Sequence, residues 1–415
     1  MTPRTLFVAY GLTADYDVAT GGSVGCTRMS RRNPYLNARL QEFTNTIFAE
    51  MSALAVATGS INLGQGFPDV DGPDAIKRAA IQAIKDGHNQ YPPVNGISEL
   101  RSAIAWHQQH YRGLNFDSDT EIVVTAGATE AVAASLLSMC EPGDEVVMFE
   151  PYYDSYAAGI AMAGAQRRVV QLQAPRWTFE PAALEEAISD RTRLILVNTP
   201  HNPTGKVFSE SELQVIADAC LRHDLIAVTD EVYEHLVYEM PHVSLASLPG
   251  MAERTITISS AAKTFSVTGW KVGWACARPE LVSAVRTAKQ YLSFVNGAPF
   301  QYAIADGLTH SADYLVEAAQ VLREKRDFLA AGLEAVGFKV FGSHGTFFLT
   351  TDITPLSDED GYSFCRALPE RCGVVAVPSS VFYDDKDTGR NYVRWMFSKR
   401  RGVLEEAVER LGRLR

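Results

Sequence analysis

Lys263 is the residue of this chain whose type and setting best suit covalent chemistry. It follows a short apolar run at residues 255–258, within the segment Ser259-Ser260-Ala261-Ala262-Lys263. A lysine amine that stays partly deprotonated can attack a carbonyl carbon and form a Schiff base. An isolated lysine is more often a solvated surface residue, so this interpretation depends on what surrounds Lys263.

Asp230 and a set of phosphate donors supply that context. Asp230 lies 33 residues before Lys263 and also follows an apolar run, where its carboxylate could keep a cationic ring nitrogen protonated. Donors for a phosphate are Ser260, Lys271 and the backbone amides of Ala128 and Thr129. These two amides fall at a predicted helix start, which is a favourable place for a phosphate. The sequence therefore predicts a pocket that combines an amine nucleophile, a carboxylate and phosphate donors.

Five polar segments that each follow a short apolar run define the predicted fold. The segments are Gly127-Ala128-Thr129, Pro151-Tyr152-Tyr153, residues 198–205, Asp230-Glu231-Val232-Tyr233 and residues 259–263. The runs that predict strands are 121–125, 145–149, 194–197, 225–228, 255–258 and 272–277. Amphipathic stretches lie between them, such as 209–223, where Ser209 and Glu212 have capping-box spacing. Short apolar strands alternating with helices indicate an α/β fold with a mostly parallel sheet covered on both faces. Ligands of such sheets collect at the carboxyl ends of the strands, so we expect the polar segments to meet there.

The chain divides into three predicted regions. Residues 1–40 have no sustained periodicity and predict a poorly ordered extension, so a chain starting at Met29 is expected to fold. Residues 75–310 carry the alternating pattern and predict a large domain. Residues 41–74 and 311–415, the latter with long charged helices, predict a smaller α+β domain.

The composition is that of a globular enzyme, and it excludes several other classes of protein. The 415 residues are 46% hydrophobic and 21% charged, which excludes disorder as the dominant state. The net charge of −11 argues against general affinity for nucleic acid or anionic membranes. No window approaches 18 consecutive apolar residues, so no membrane-spanning helix is predicted. The six cysteines are dispersed and the N-terminus is a poor signal peptide, which favours reduced thiols and a cytoplasmic protein.

Several motifs resemble those of the class I pyridoxal-phosphate aminotransferases of fold type I. They are Asn202-Pro203-Thr204-Gly205, Asp230-Glu231-Val232-Tyr233, and Ser260-Ala261-Ala262-Lys263 with Gly269-Trp270-Lys271-Val272-Gly273. Leu63-Gly64-Gln65-Gly66-Phe67-Pro68 and Asn89-Gln90-Tyr91-Pro92 are similar to stretches of the kynurenine and glutamine transaminases and of actinobacterial N-succinyldiaminopimelate aminotransferases. The resemblance runs from about residue 40 to the C-terminus. It implies a homodimer with shared active sites that moves an amino group between an amino acid and a 2-oxo acid such as 2-oxoglutarate.

The resemblance also implies a role for each cofactor-binding residue. Lys263 would carry pyridoxal 5′-phosphate as a Schiff base, and Asp230 would pair with its pyridine nitrogen. Tyr233 and Asn202 would bind the phenolic oxygen of the ring, and Tyr153 would stack on the ring. The phosphate would be held by Ser260, Lys271, Ala128, Thr129 and, from the partner subunit, Tyr91. Lys271 is a departure, because many members of the class have arginine there.

For the substrate, the resemblance implies a carboxylate site and a less defined side-chain pocket. Arg394 would bind the α-carboxylate as a planar bidentate donor, with Asn202 and Gly66 beside it. Phe48 and Phe294 match aromatic pocket positions of the kynurenine-type enzymes, but core packing explains them equally well. We expect N-succinyl-diaminopimelate with glutamate, a step of lysine biosynthesis, although no residue for its distal carboxylate is identifiable. The alternative is kynurenine, glutamine or methionine as amino donor.

Three other classes of protein fit the sequence less well. Ser260-x-x-Lys263 satisfies the S-x-x-K pattern of serine acyl-transfer enzymes, but the Ser-Asp-Asn and Lys-Thr-Gly elements of that class are missing. His107 and His110 lack an H-E-x-x-H pattern, so no metal is predicted and a solvated helix face is expected for both. A regulator built on this fold would need a basic helix-turn-helix segment, which residues 1–40 lack.

Overall fold

The computed structural model describes residues 33–44 and 46–414. The predictions for residues 1–32, including a chain start at Met29, lie outside the described residues. Residues 38–43 form a short 3-10 helix whose first turn is capped by the side chain of Asn37. Within the described ranges, no helix is long and apolar enough to cross a membrane.

The described residues form helices and strands in alternation. The helices are α1 (Ile47–Thr58), α2 (Asp74–Lys85), α3 (Ser98–Arg112), α4 (Ala128–Met139), α5 (Asp154–Ala163), α6 (Pro181–Ala187), α7 (Glu210–Arg222), α8 (Ala261–Thr264), α9 (Pro279–Leu292), α10 (Ala298–His310), α11 (Ala312–Val336), α12 (Gly361–Cys372) and α13 (Arg401–Leu411). The strands are β1 (Ile61–Asn62), β2 (Ile122–Thr125), β3 (Glu145–Glu150), β4 (Gln166–Gln171), β5 (Thr192–Asn198), β6 (Ile226–Asp230), β7 (Thr255–Ser260), β8 (Gly273–Cys276), β9 (Lys339–Val340), β10 (Phe348–Asp352), β11 (Val374–Val375), β12 (Val377–Pro378) and β13 (Tyr392–Met396).

A seven-stranded sheet lies at the centre of the described chain, in the order β2-β8-β7-β6-β5-β3-β4. The pairs β3–β4, β3–β5, β5–β6 and β6–β7 are parallel, whereas β8 is antiparallel to both neighbours. The prediction of an α/β fold with a mostly parallel sheet is confirmed. The other strands therefore end at one edge, and β8 begins there at Gly273, which pairs with Ser260 and Thr125.

Buried apolar side chains cover both faces of this sheet, because successive strand residues point to opposite sides. Val146 and Met148 of β3 belong to a core that includes α4, α5 and α9. Val147 of the same strand belongs to a core on the other face with α7. The β2 end of the sheet is covered on that face by α2, α3 and α10. The helices thus hold the strand ends in fixed register.

A further core joins the two ends of the described chain. Ile47 and Met51 of α1 pack in it with side chains of α11, α12 and α13 around the antiparallel sheet β12-β13-β10-β9. The short strands β1 and β11 pair in parallel at its side. This is the region where the smaller α+β domain is predicted; the domain boundaries at residues 40, 74 and 310 stay predictions.

Local sequence signals account for some element boundaries, and the predicted strands include six of the seven strands of the central sheet. The capping box of α7 is confirmed, because the Ser209 side chain accepts from Glu212 N and the Glu212 carboxylate accepts from Ser209 N. The long helix α11 ends at Gly337, which has a φ of +117°, a conformation that favours glycine. Strand β4 is absent from the predicted strands. It is an edge strand in which only Val170 is buried, so its apolar run is too short to stand out.

Candidate active site

A cavity of about 280 Å³ lies at the carboxyl edge of the central sheet. Its wall contains twelve of the side chains or backbone positions that the sequence assigns to the site: Phe48, Gly66, Ala128, Thr129, Tyr153, Asn202, Asp230, Tyr233, Ser260, Lys263, Lys271 and Arg394. They come from segments hundreds of residues apart in the chain. The fold therefore brings these predicted residues together in one place.

Lys263 lies in α8, which begins where β7 ends. Its amine is 5.8 Å from the centre of the Tyr233 ring and 5.4 Å from that of Phe347, and it donates to Gly66 O at 3.3 Å. Burial lowers the Lys263 pKa to about 8; Asp230 raises it in part, whereas Arg394 and Lys271 lower it further. About a tenth of the amine is then neutral at pH 7, so Lys263 is available as a nucleophile and as a base.

Asp230 is the last residue of β6, and its carboxylate is buried in the same cavity. The Tyr156 hydroxyl donates to its Oδ2 at 2.7 Å, and Val232 N donates to its Oδ1 at 3.3 Å. Burial raises the Asp230 pKa, and the hydrogen bonds from Tyr156 and Val232 and the charge of Lys263 oppose this rise. A buried carboxylate of this kind is stabilised by a cationic group placed beside it.

The start of α4 and the start of β8 form a concave group of donors. Gly127 precedes α4 at a φ of +80°, and the first amides of a helix have no partner within it. A Cβ on Gly273 would lie 2.6 Å from the carbonyl carbon of Gly127, so only glycine permits this approach. The Lys271 amine lies 3.2 Å from the place that a Cβ on Gly127 would take. Ser260 is buried beside these groups, and an anion would find amides, an amine and a hydroxyl together.

Arg394, on β13, places a buried guanidinium in the wall of the cavity. Its carbon lies 4.1 Å from the ring centre of Phe348 and 5.0 Å from that of Phe48. Nη1 donates to Asn202 Oδ1 and Nη2 to Gly64 O, both at 2.9 Å, but Nε has no partner among the described residues. No carboxylate of the described chain lies within 4.0 Å of it. Burial lowers the Arg394 pKa to about 10, so an incoming carboxylate would satisfy both its charge and its free donor.

Asn198 and Tyr156 position these groups, and neither is among the predicted site residues, although Asn198 begins the polar segment at residues 198–205. Asn198 Oδ1 accepts from Asn202 N at 2.7 Å, and its Nδ2 donates to Asp230 O at 2.9 Å. It therefore fixes the two predicted residues relative to each other. Asn198 follows an apolar run, as the predicted residues do, and that signal could have found it. Tyr156 reaches Asp230 from α5, and its local sequence gives no such signal.

Two predicted site residues lie outside this cavity. Tyr91 is 81% exposed and Phe294 is 42% exposed, and their rings meet edge to face at 5.4 Å between centres. Neither belongs to the wall described above. The geometry therefore gives no support for a role of Tyr91 or Phe294 in the cavity of the same chain.

The expectation of a solvated helix face for His107 is wrong. His107 is completely buried, and its Nε2 lies 2.6 Å from Nε2 of His235. His110, three residues later, is exposed as expected. The difference arises because α3 packs one face against the central sheet, and the sequence spacing alone does not tell which histidine lies on that face.

The comparisons with known proteins identify the family. Residues 58–411 match the family model for aminotransferase class I and II. The chain belongs to this family of enzymes, as the motifs indicate, and the expectation of an aminotransferase of fold type I is confirmed.

Individual relatives cover almost the whole described chain. The solved N-succinyldiaminopimelate aminotransferase from Mycobacterium tuberculosis is 50% identical, with a TM-score of 0.90, over 92% of this chain and 100% of that one. The methionine aminotransferase of Escherichia coli (strain K12) is 38% identical over 92% of this chain and 99% of its own length. The kynurenine–oxoglutarate transaminase 3 of Mus musculus is 35% identical over 92% and 91%, respectively.

Proposed function

We propose that this chain is a pyridoxal-phosphate-dependent aminotransferase that transfers an amino group between N-succinyl-diaminopimelate and 2-oxoglutarate, which becomes glutamate. The observation that carries the reaction type is the placement of three buried or half-buried charges around one cavity. Lys263 supplies an amine of lowered pKa, Asp230 a buried carboxylate, and Arg394 a buried guanidinium with a free donor. Transfer of an amino group needs an amine as the base, a carboxylate for the ring nitrogen of the cofactor and a cation for the carboxylate of the substrate.

The donor set fits pyridoxal phosphate. The amides of Ala128 and Thr129, with Ser260 and Lys271, suit its phosphate, because they combine helix-start N–H groups, a hydroxyl and an ammonium. The Asp230 carboxylate suits its ring nitrogen, and the Tyr156 hydrogen bond keeps that carboxylate oriented. When bound, the group supplies a carbonyl carbon that receives the amino group and a ring that withdraws electrons from the substrate Cα.

The residues of the chain would have separate roles in the reaction. Arg394 and Asn202 bind and orient the α-carboxylate of the substrate. The Lys263 amine takes the proton from the substrate Cα and later returns one, which its pKa of about 8 permits near neutral pH. Asp230 would hold a proton on the ring nitrogen of the cofactor, and the Tyr233 hydroxyl would donate to its phenolic oxygen. Phe48 and Phe348 cover the guanidinium and reduce its contact with water.

The substrate is proposed from the 50% identity to the enzyme of Mycobacterium tuberculosis, which bears the name N-succinyldiaminopimelate aminotransferase. The expected place of the reaction is lysine biosynthesis. A second candidate is kynurenine, glutamine or methionine as amino donor. It is favoured by the Phe48 ring, which lies in the wall of the cavity and offers an apolar surface to a substrate side chain.

A direct comparison of substrates tests this choice. The values of kcat/KM with 2-oxoglutarate should be measured for N-succinyl-diaminopimelate, kynurenine, glutamine and methionine, because specificity is a ratio of these constants. We expect the succinylated substrate to be preferred at least about tenfold, the range that one or two extra contacts provide. A preference for kynurenine or glutamine would overturn the proposed substrate and leave the aminotransferase assignment intact.

The proposed assembly is a cytoplasmic homodimer with shared active sites. Its support is the exposed Tyr91–Phe294 pair, which lies outside the cavity of its own chain. In a dimer, Tyr91 of the partner subunit would add a hydroxyl to the phosphate donors, and the apolar rings would leave solvent.

A further inference from the structure

A second group of ligand-type side chains lies between α3 and the loop that follows β6. His107, Glu234 and His235 each offer one atom, and these three atoms lie within 4.8 Å of one another. The two Nε2 atoms are 2.6 Å apart. These residues do not belong to the wall of the active-site cavity, and the proposed reaction does not use them.

His107 is buried and His235 is half-buried, and the two rings face each other through their Nε2 atoms. Each neutral imidazole has one nitrogen with a free lone pair. In this pair one Nε2 donates and the other accepts, and a metal ion would take the place of the hydrogen between them.

Gln108 indicates which nitrogen of His107 carries the hydrogen. Its side-chain oxygen is buried without a hydrogen-bond partner among the described residues, while its Nε2 lies 3.3 Å from His107 Nδ1. Rotating this amide by half a turn lets the oxygen accept from Nδ1–H of His107. The lone pair of His107 is then on Nε2, directed at His235. This is the arrangement in which a histidine binds a metal and donates its other N–H to a supporting acceptor.

Glu234 supplies a negative charge that is fixed in orientation. Burial alone would raise its pKa, but Arg112 and a hydrogen bond from Ser259 hold it below its usual range. Arg112 Nε donates to Glu234 Oε2 at 2.9 Å, and the Ser259 hydroxyl donates to Oε1. Each carboxylate oxygen keeps a further lone pair, so Glu234 can bind a cation without losing these contacts.

A cavity of about 650 Å³ gives access to this group from solvent. Glu234 and His235 lie in its wall together with Tyr111. His235 is only half-buried, so its ring can turn toward the cavity. Binding to zinc needs the two Nε2 atoms to separate from 2.6 Å to about 3.3 Å, the span of two Zn–N bonds at a tetrahedral angle.

We propose that His107, Glu234 and His235 bind a Zn²⁺ ion, with water from this cavity as the fourth ligand. Two imidazoles and one carboxylate are a ligand set that zinc accepts with an open position. The site is separate from the cavity of Lys263, and zinc should bind whether or not the aminotransferase substrate proves correct. The link between the two is Ser259, which holds Glu234 and precedes Ser260.

Equilibrium dialysis of the cofactor-loaded enzyme against micromolar ZnCl₂, followed by metal analysis, measures the binding directly. We expect wild type to retain about one zinc per chain and the His235→Gln variant to bind at least about 100-fold more weakly, since one ligand is lost. The Gln108→Leu variant should weaken binding about tenfold, as loss of a supporting acceptor does. Circular dichroism and the absorbance of the bound cofactor check that each variant is folded.

His110→Gln is the matched control, because His110 is exposed on the same helix three residues from His107. It should bind zinc as wild type does, and 2-oxoglutarate-dependent activity should be equal in this variant and wild type. Equal zinc binding by wild type and His235→Gln would overturn the proposal, as would wild type that retains none. A His235→Gln variant that loses thermal stability equally with and without zinc would assign the pair a purely structural role.

Discussion

At the scale of single residues, the active-site cavity contains charges that the chain itself leaves incompletely neutralised. Arg394 has no carboxylate within ion-pair distance among the described residues, and its Nε has no hydrogen-bond partner. Asp230 is buried with a tyrosine hydroxyl as its closest partner. Burial of such groups has a cost in stability, and each one is relieved by a ligand of opposite charge. The same buried charges therefore weaken the fold locally and indicate which charged groups a ligand of this cavity carries.

Replacing Lys263 by alanine should abolish covalent cofactor binding and lower kcat by at least about 1000-fold, the upper part of the range for loss of an acid–base group. Borohydride reduction of the cofactor-loaded wild type should remove its visible absorption band. The reduced cofactor should then be attached to a peptide that contains Lys263. Lys271, also in the cavity wall, is the internal comparison. Reduced cofactor attached to Lys271 instead would show that the nucleophile has been misassigned.

Cofactor uptake by the cofactor-free enzyme should depend on pH through Lys263. The pKa of about 8 means that the neutral amine increases as pH rises through 8, so uptake should be about tenfold slower at pH 6 than at pH 7. Asp230 raises the Lys263 pKa, so Asp230→Asn should move the midpoint to lower pH. The measurement is the rate of appearance of the visible band across pH 5–10 for both proteins. A midpoint near 10.5, the ordinary value for lysine, would contradict the burial of this amine.

Arg394→Lys should lower kcat/KM for amino acids by about 10- to 100-fold, because a single ammonium replaces a planar pair of donors. Most of the loss should appear in KM, since the contact with the carboxylate is present before the reaction as well as during it. Steady-state kinetics with an amino acid and with the corresponding amine, which lacks the carboxylate, separate the two effects. An equal loss with both compounds would indicate damage to the site in general.

At the scale of elements, the close contact of β8 with the start of α4 determines the phosphate donors. In Gly273→Ala, the added methyl group would lie 2.6 Å from Gly127, so α4 must move away from β8. We expect about a tenfold loss of affinity for pyridoxal phosphate and a lower Tm, since overpacking costs about 1–3 kcal/mol. Gly269→Ala is the control, because no atom lies within 4 Å of its added methyl group. Equal effects of the two substitutions would refute this account.

The sequence predicts the elements better than the contacts between them. Strands with a continuous apolar centre, such as residues 146–149 of β3 and 194–197 of β5, stand out in the sequence, and polar residues that follow them locate the cavity edge. Strand β4 is missed because its burial is confined to one residue. Tyr156 and the His107–His235 pair are missed for another reason: their partners lie more than 70 residues away, and spacing carries no information about such contacts. Resemblance to a family supplies conserved roles, but it does not supply these pairings.

At the scale of the whole molecule, the exposed aromatic residues near Tyr91 form a surface that a single chain leaves in solvent. Tyr91 and Tyr291 are each 81% exposed, and Leu292 and Phe294 lie beside Tyr291 in the chain with 51% and 42% exposure. Aromatic side chains of this kind are enriched at interfaces between subunits. The surface and the active-site cavity are distinct, which is the arrangement expected if each site is completed by the other subunit.

Mixed dimers test whether the active sites are shared. Neither Lys263→Ala nor Tyr91→Phe homodimers should have full activity, the first for lack of the amine and the second for lack of the Tyr91 hydroxyl on the cofactor phosphate. In a mixed dimer, one site should contain both substitutions and the other neither, because Tyr91 acts across the interface. Co-refolded or co-expressed subunits with two different affinity tags allow the mixed dimer to be purified. Its kcat per dimer should reach about half that of wild type, since one of two sites is intact. Activity no higher than the average of the two parents would show that Tyr91 does not act in the partner's active site and would refute the shared-site dimer, without affecting the assignment of Lys263.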